Sequence, residues 1–445
     1  MKIAILGFGR EGQAVFKYLK SNKAYKNARI SILDQKNSSG YLKNLKSFNV
    51  IFRSPGVPYN LPEIQAAKIA GVKITSATKL FFDSVGGQNH VIGITGTKGK
   101  GTTSTLLYNM FKAAKRPVAL AGNIGKPAID ILPRLVPGTT VILELSSFQL
   151  QDLETSPQTA AVLDIFPDHL DSHKNFAEYV SAKSSIAMHQ KKRGRVFYAA
   201  GNPHAKYIAE LSQGKITEVN ENNWRLFSRE DLKIPGEHNF KNAVMAAAIA
   251  LAHGLPEKAI IRAVKNFHGL PHRLELVKKL PVNIPLIRAN EGYNDGKINS
   301  VVRGDINFYN DSASTNPQTS AAAARAFKEP LILIAGGKDK NLNYSPLARA
   351  VQESKNLKAI ILFGENKSKI ATALKQTNKK LIVEKNLTSA TYAAYREAKK
   401  VIPLEAISYK LEAVILFSPG AASFDMFKDY ADRGEKFKEI VKNLK

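Results

Sequence analysis

The run Thr95-Gly96-Thr97-Lys98-Gly99-Lys100-Gly101-Thr102-Thr103 follows the apolar stretch HVIGI and opens into TSTLLYNMFKAA, which reads as a helix. Few sequence features constrain a fold as tightly as a Gly/Thr-rich turn between a buried strand and a helix. Its backbone N–H groups can cradle phosphates, a lysine can reach the β- and γ-oxygens, and a hydroxyl can ligate Mg²⁺. The spacing departs from a strict P-loop, because Ile94 stands where the first glycine would be. Gly101 follows Lys100 directly, so Thr102 is the expected metal ligand. The whole run, Gly96, Thr97, Lys98, Gly99, Lys100, Gly101, Thr102 and Thr103, is expected to bind ATP.

Around this loop the chain repeats one pattern three times. KIAILGF, RISILD, NVIFRSP and VKITSA read as strands, with EGQAVFKYLK and PEIQAAKIA as helices between them. Such alternation implies a parallel, doubly wound sheet. The pattern restarts at HVIGITG, and again at PLILIAGG, KAIILFG and AVILFSPG. Three α/β domains are expected: a Rossmann-like one over residues 1–88, a central P-loop ATPase-type one over 89–268, and a Rossmann-like one over 269–445. The Asn- and Gly-rich stretch Pro281 to Asn307 reads as a hairpin or a long surface loop. Ligands are expected at strand C-termini.

Gly7-Phe8-Gly9-Arg10-Glu11-Gly12 is a second Gly-rich turn, and Asp34 ends the next strand where a dinucleotide fold places its ribose acid. Taken alone it fits NAD, hence an oxidoreductase. It fits a UDP-sugar equally, since both ligands carry a pyrophosphate and a ribose. A tight turn that simply needs glycine is a third reading. Glu144 closes the strand VILELSSF and is a natural Mg²⁺ ligand beside a P-loop. Asp168-His169-Leu170-Asp171-Ser172-His173 is a second polar cluster; with Glu144 it could hold a second Mg²⁺ and orient a carboxylate.

Composition narrows the classes further. The 445 residues include no cysteine, which excludes disulfides and thiolate chemistry and leaves oxygen and histidine ligands for any metal. The sequence opens directly into a strand and no apolar run approaches ~18 residues, so a cytoplasmic protein with no membrane partner is expected. The formal charge of +28 favours anionic partners. The lysines are spread along the chain, however, with no aromatic-interleaved basic patch, which argues against nucleic acid and for an anionic small substrate.

From here the residues cease to be generic. TGTKGKGTT, GNIG (Gly122 to Gly125), ELSSFQL (Glu144 to Leu150) and DHLDSH with Lys183 resemble the central domain of the Mur ligases. GEHNFKNAVMA, GLPHRLE, NDSASTNP, GGKDKN and SPGAASFDMFKDYADRGEKF continue that resemblance, in order, to the end of the chain. The last block, GLPHR and the SPG at Ser54 to Gly56 look most like the D-glutamate-adding member of the family.

The resemblance implies an ATP-dependent ligase of cytoplasmic cell-wall precursor synthesis. ATP would phosphorylate the carboxylate of UDP-N-acetylmuramoyl-L-alanine, and the amine of D-glutamate would attack the acyl phosphate. It implies two Mg²⁺ ions held by Thr102, Glu144, His169 and a carbamylated Lys183, with Lys100 on the γ-phosphate. Asn239, Asn242, Arg273 and Asp311 match nucleotide positions. Gly9, Arg10, Asp34, Gly56, Asn123, Ser146 and Gln149 match the UDP-substrate site. Thr315, Lys340, Ser423, Phe424 and Tyr430 match the glutamate pocket. A monomer is expected.

Two departures stand out. Ala313 occupies a position where the family carries lysine, which puts amino-acid choice and rate in question. Gln35-Lys36 replaces the Thr-Arg sometimes seen at the uracil site. The GKGT order after Lys98 is closer to folylpolyglutamate synthases, the main rival within the class, although those do not open with such a GxGxxG domain. A basic nucleic-acid-binding ATPase is the remaining alternative.

Overall fold

The computed structural model describes residues 1–170, 172–286, 300–401 and 412–444. Asp171 and the centre of the 281–307 stretch lie outside them. The chain forms two compact units, Met1–Asp231 with Glu237–Asn266, and Leu232–Gly236 with Phe267–Lys445. Among the described residues no helix is long and apolar enough to cross a membrane.

The first unit holds two sheets. Strands β1 (Lys2–Leu6), β2 (Arg29–Leu33), β3 (Val50–Arg53) and β4 (Lys73–Thr75) make a parallel sheet in the order β2-β1-β3-β4. Alternation within KIAIL serves both faces: Ile3 and Ile5 pack with Val15, Leu19 and Phe52, while Ala4 and Leu6 pack with Ile51 and Ile64. A parallel sheet covered on both sides needs such an apolar run.

Strands β5 (His90–Thr95), β6 (Val118–Gly122), β7 (Thr140–Glu144), β8 (Thr159–Val162), β9 (Arg195–Ala199) and β10 (Lys215–Val219) form the second parallel sheet, ordered β10-β9-β8-β5-β7-β6. The chain leaves β5 toward β6 and returns through β7 to β8 on the other side. The winding direction therefore reverses beside β5, where open α/β sheets bind ligands beyond their strand C-termini. Gly93 inside β5 has a packing reason, since a Cβ there would lie 2.7 Å from Pro157 Cγ.

The second unit has one sheet, β11 (Glu275–Leu286), β12 (Ser300–Asn310), β13 (Leu331–Ala335), β14 (Leu357–Leu362), β15 (Lys380–Val383) and β16 (Glu412–Phe417), ordered β11-β12-β16-β13-β14-β15. Among the described strands only the β11–β12 pair is antiparallel, running from Glu275↔Asn310 to Leu286↔Ser300. The flanks of the 281–307 stretch are thus a hairpin. Pro281 and Pro285 fit because β11 is an edge strand, where a missing N–H leaves no central ladder bond unmade.

Candidate functional site

The C-terminal end of β5 is the best-defined site. Ile94 pairs with Glu144 across β5 and β7, so that acid emerges one strand from the Gly-rich loop. On the other side, Thr95 O accepts from Leu163 N (2.9 Å) and Thr97 N donates to Asp164 O (2.8 Å), tying the loop to the end of β8. Gly96 and Gly99 have φ of 155° and 85°, a region that a side chain disfavours. The helix Lys100–Ala113 follows at once, so its free N–H groups face the loop.

Two lysines converge here. Lys100 Nζ donates to Gly96 O (2.9 Å) and Thr97 O (3.0 Å), and Lys183 Nζ donates to the same Gly96 O (3.0 Å) and to Thr95 Oγ1 (3.3 Å). Lys183 is almost wholly buried. Burial, followed by the charge of Lys100, holds its amine well below the ordinary lysine range, against the opposing pull of Asp168 and Glu144. Its Nζ also lies 4.7 Å from the centre of the Tyr179 ring.

Glu144 is buried and accepts from Asn123 Nδ2 (2.7 Å). His169 is half exposed, in the left-handed region (φ 54°), with Nε2 4.0 Å from Asp168 Oδ2. Lys98 reaches the same carboxylate oxygen at 3.4 Å. Thr102 is partly buried beside the fully buried Gly101 and Thr103. Asn239 and Asn242 sit on the buried face of the helix Glu237–Ala252, and a Cβ on Gly99 would lie 2.2 Å from Asn242 Oδ1. Among the described residues no three His, Asp or Glu side chains converge as a ready-made metal cluster.

The first Gly-rich turn lies within the same unit. Asp34 does not reach outward; its Oδ2 accepts from Phe8 N (2.6 Å) and its Oδ1 from Lys36 N (2.9 Å). The Phe8 bond, followed by that to Lys36, holds this carboxyl below its usual range. Ser54 Oγ donates to Gly7 O (2.6 Å), which brings the SPG loop and exposed Gly56 against the turn. The Arg10 guanidinium donates to Gly125 O in the GNIG loop. Gly9 leads into the helix Arg10–Ser21. Ser146 and Gln149 form a reciprocal capping box at the helix Ser147–Leu150.

The second unit carries the remaining assigned residues. Asp311, beyond β12, accepts from Ser314 Oγ (2.5 Å), Ser418 Oγ (2.7 Å) and Leu274 N (3.2 Å). Burial pushes its carboxyl up to about 6 despite these bonds and the nearby Arg273. Arg273 itself is exposed. Lys340 lies 5.4 Å from the centre of the exposed Phe424 ring. Ser423 is buried, Thr315 half-buried, and Tyr430 meets the His272 ring at 6.2 Å between centroids. Half-buried Ala313 donates its N–H to His272 O (2.9 Å).

Three residues that the sequence did not single out now stand out. Tyr179 shares a hydrogen bond with Thr97 Oγ1 (3.1 Å), and burial pushes its hydroxyl up to about 12. It lies four residues before Lys183, a spacing that puts both on one helix face. Glu11 meets Gln149 at 2.5 Å. Arg433, fully buried, donates to Ser312 Oγ and O and to Ala421 and Ala422 O, joining the loops after β12 and β16. Only the tertiary contacts mark the last two.

Comparison with known proteins gives the geometry a family context. The Mur ligase middle domain matches residues 94–224. The UDP-N-acetylmuramoylalanine–D-glutamate ligase of Acetivibrio thermocellus is 32% identical over 429 residues, covering 91% of this chain and 85% of that protein. The ligase of the same name from Clostridium acetobutylicum is 34% identical over 424 residues, with the same shares covered. Among solved structures, a MurF of Acinetobacter baumannii aligns with a TM-score of 0.57 at 19% identity, over 85% of this chain and 81% of its own. Folylpolyglutamate synthase of Thermotoga maritima aligns at 0.54 and 15%, over 83% and 93%. The fold is therefore shared by both classes of ligase and does not separate them.

Proposed function

The chain belongs to the Mur ligase family, and from that premise we propose that it joins D-glutamate to UDP-N-acetylmuramoyl-L-alanine. It is an ATP-dependent ligase of peptidoglycan precursor synthesis. The observation that carries the specific reading is the identity of 32% and 34%, over 91% of the chain, to relatives bearing that activity in their names. A monomer acting in the cytoplasm is part of the same proposal.

The chemistry follows from what a carboxylate lacks. It is a poor electrophile, so its oxygen attacks the γ-phosphorus of ATP, releasing ADP and giving an acyl phosphate. The amine of D-glutamate then attacks the acyl carbon and phosphate leaves, with the amine's proton passing to solvent or a base. Both steps bring anions together, and a fixed cation that faces the developing charge lowers the barrier. Lys100 takes that role at the loop, where Gly96, Thr97, Lys98, Gly99, Gly101 and Thr103 offer backbone groups to the phosphates. Asn239 and Asn242, and in the second unit Arg273 and Asp311, are assigned to the nucleotide.

The oxygen donors of Glu144 and Thr102 fit Mg²⁺, a hard cation suited to oxygen ligands, and His169 would add a nitrogen ligand beside them. When bound, Mg²⁺ would neutralise phosphate charge and polarise the γ-phosphoryl group. Lys183 is suited to carbamylation, because a buried amine held neutral can attack CO₂, forming an N–C bond and releasing a proton. The product is an anion beside Lys100 and a further oxygen ligand. Gly9, Arg10, Asp34, Gly56, Asn123, Ser146 and Gln149 are assigned to the UDP-substrate. Thr315, Lys340, Ser423, Phe424 and Tyr430 are assigned to glutamate.

Coupled ADP release with UDP-N-acetylmuramoyl-L-alanine and a panel of amino acids tests the proposal. D-Glutamate is expected to give the fastest turnover. Another amino acid that outruns it would overturn the assignment, and acceptance of a folate instead of the UDP-substrate would favour the folylpolyglutamate reading. Because Ala313 leaves Lys340 as the cation among the matched pocket positions, Ala313→Lys should lower KM for glutamate and Lys340→Ala should raise it. Glutamate KM unchanged in both variants would mean other groups hold the carboxylates.

A further inference from the structure

A glutamate in a turn that faces an anionic ligand is an electrostatic conflict unless something removes its charge. Glu11 stands in the first turn of the helix Arg10–Ser21, next to Arg10. Its Oε1 accepts from Gln149 Nε2 at 2.5 Å. That amide cannot turn around, because Gln149 Oε1 already accepts from Ser146 N (2.9 Å) and Ser146 Oγ (3.1 Å). Glu11 Oε2 is closed off from solvent and has no hydrogen-bond partner.

One cation serves two acids in this cluster. Arg53, buried on β3, gives Nε (3.2 Å) and Nη2 (3.0 Å) to Asp152 Oδ2, and its remaining bonds go to the carbonyls of Ser54, Val57 and Phe148. Asp152 Oδ1 is also buried without a partner. An ionised Glu11 would therefore add a second buried negative charge near Asp152, which already holds the Arg53 guanidinium. Removing a carboxylate from water without a partner is costly, and protonation is the usual escape.

We propose that Glu11 is a positioning residue, carried as the neutral acid, that fixes the Gln149 amide for the UDP-substrate and weakens substrate binding when it ionises. The inference rests on the assignment of Gly9, Arg10 and Gln149 to that substrate. Burial pushes the Glu11 carboxyl above the usual range; the Gln149 bond, Arg53 and Arg10 oppose this, and Asp152 adds to it. The neutral acid places no charge against a pyrophosphate, and its carbonyl oxygen still accepts from Gln149.

Calorimetric binding of UDP-N-acetylmuramoyl-L-alanine, without ATP, tests this from about pH 5 to about pH 8, a range over which the diphosphate diester, the carboxylate and the uracil of the ligand keep their charge. The wild-type Kd should rise with pH by about tenfold, the factor equivalent to about one unit of coupling between ionisation and binding. Glu11→Gln, neutral and of the same shape, should keep the low-pH affinity and lose the slope. Glu11→Ala should bind more weakly throughout. A Glu11→Gln protein that binds worse at every pH and keeps the slope would overturn the proposal. If the wild type binds no UDP-substrate at any pH, the functional assignment fails instead, and thermal melting decides this point alone. A carboxyl raised on folding contributes stability that is lost as pH rises through its folded value. The wild-type Tm should therefore fall relative to Glu11→Gln as pH rises through that folded value, and parallel curves would overturn the neutral acid.

Discussion

The two glycine-rich turns occupy equivalent positions, each between the first strand of a parallel sheet and its helix, yet they are built for different charge. In the first, Asp34 occupies the Phe8 N–H and Glu11 faces Gln149. The turn closes on itself so tightly that a Cβ on Gly12 would lie 2.2 Å from Gly7 O. In the second, the side chains folded inward are Lys100 and Lys183, both on Gly96 O. On the proposed assignment, glycine spacing sets the path of a phosphate-compatible turn, while its flanks set the charge that turn offers a phosphate. On that reading Lys100 faces the transferred phosphoryl group, whereas the first turn binds without chemistry.

The sharpest way to break this comparison is to remove the two lysines in turn. Lys100→Ala should lower turnover by about 10²–10³, while binding of the UDP-substrate persists in calorimetry. Near-normal turnover would return the second turn to the same class as the first. Lys183→Ala should be nearly inactive as well, and added formate or acetate should restore part of the rate by replacing the missing anion. Depleting bicarbonate should slow the wild type, and a Lys183 that stays unmodified under bicarbonate, by mass spectrometry of the native protein, would remove the carbamate from the account.

A smaller effect is expected from the backbone of the first turn. Gly12→Ala must displace a carbonyl and should cost about 1–3 kcal/mol of stability, seen as a lower midpoint in urea. Gly9→Ala meets nothing within 4 Å and has an ordinary negative φ of −73°, so its midpoint should barely move. Equal losses in both would mean the turn is strained as a whole rather than at one contact.

The smallest effect belongs to the other end of β5 and serves as a control for global unfolding. His90 and His253 pack ring to ring at 4.8 Å and both approach Thr159 Oγ1. Burial, followed by the charge of His90, pushes His253 down from 6.5 to about 4, with Arg195 and Arg116 adding to it. A depressed histidine gives stability that is present above its unfolded value and lost as pH falls toward its folded one. The Tm should drop by a few degrees between about pH 6.5 and about pH 4, and His253→Gln should flatten that slope. An unchanged slope would place the acid sensitivity elsewhere, closer to the turns.

Much of this was legible in the chain itself. The Ile- and Val-rich runs and their spacing fixed parallel α/β sheets, because a strand covered on both faces has no polar alternation to hide. The glycine turn at Gly96 and Gly99 was legible because backbone conformations are local properties of adjacent residues, and Lys100 beside it is the basis of the phosphate proposal. Thr315, Lys340, Ser423 and Phe424 could be proposed only through the family resemblance, since no spacing rule links residues on loops from different strands. The stretch from Pro281 read equally as a hairpin or a loop, and Pro281 and Pro285 sit in strand because β11 lies at an edge, a fact of sheet order rather than of sequence.

What the sequence determined, then, is whatever follows from neighbours along the chain: strand and helix period, turns that require glycine, and the charge a loop carries. Tertiary structure alone decided which side chains share a partner. It set Lys183 beside Lys100 across 83 residues, turned Asp34 inward to its own turn, and left Glu11 and Asp152 competing for one Arg53. The physical reason is that burial and Coulomb energies depend on distance through space, and two strands adjacent in a sheet can be distant in the chain.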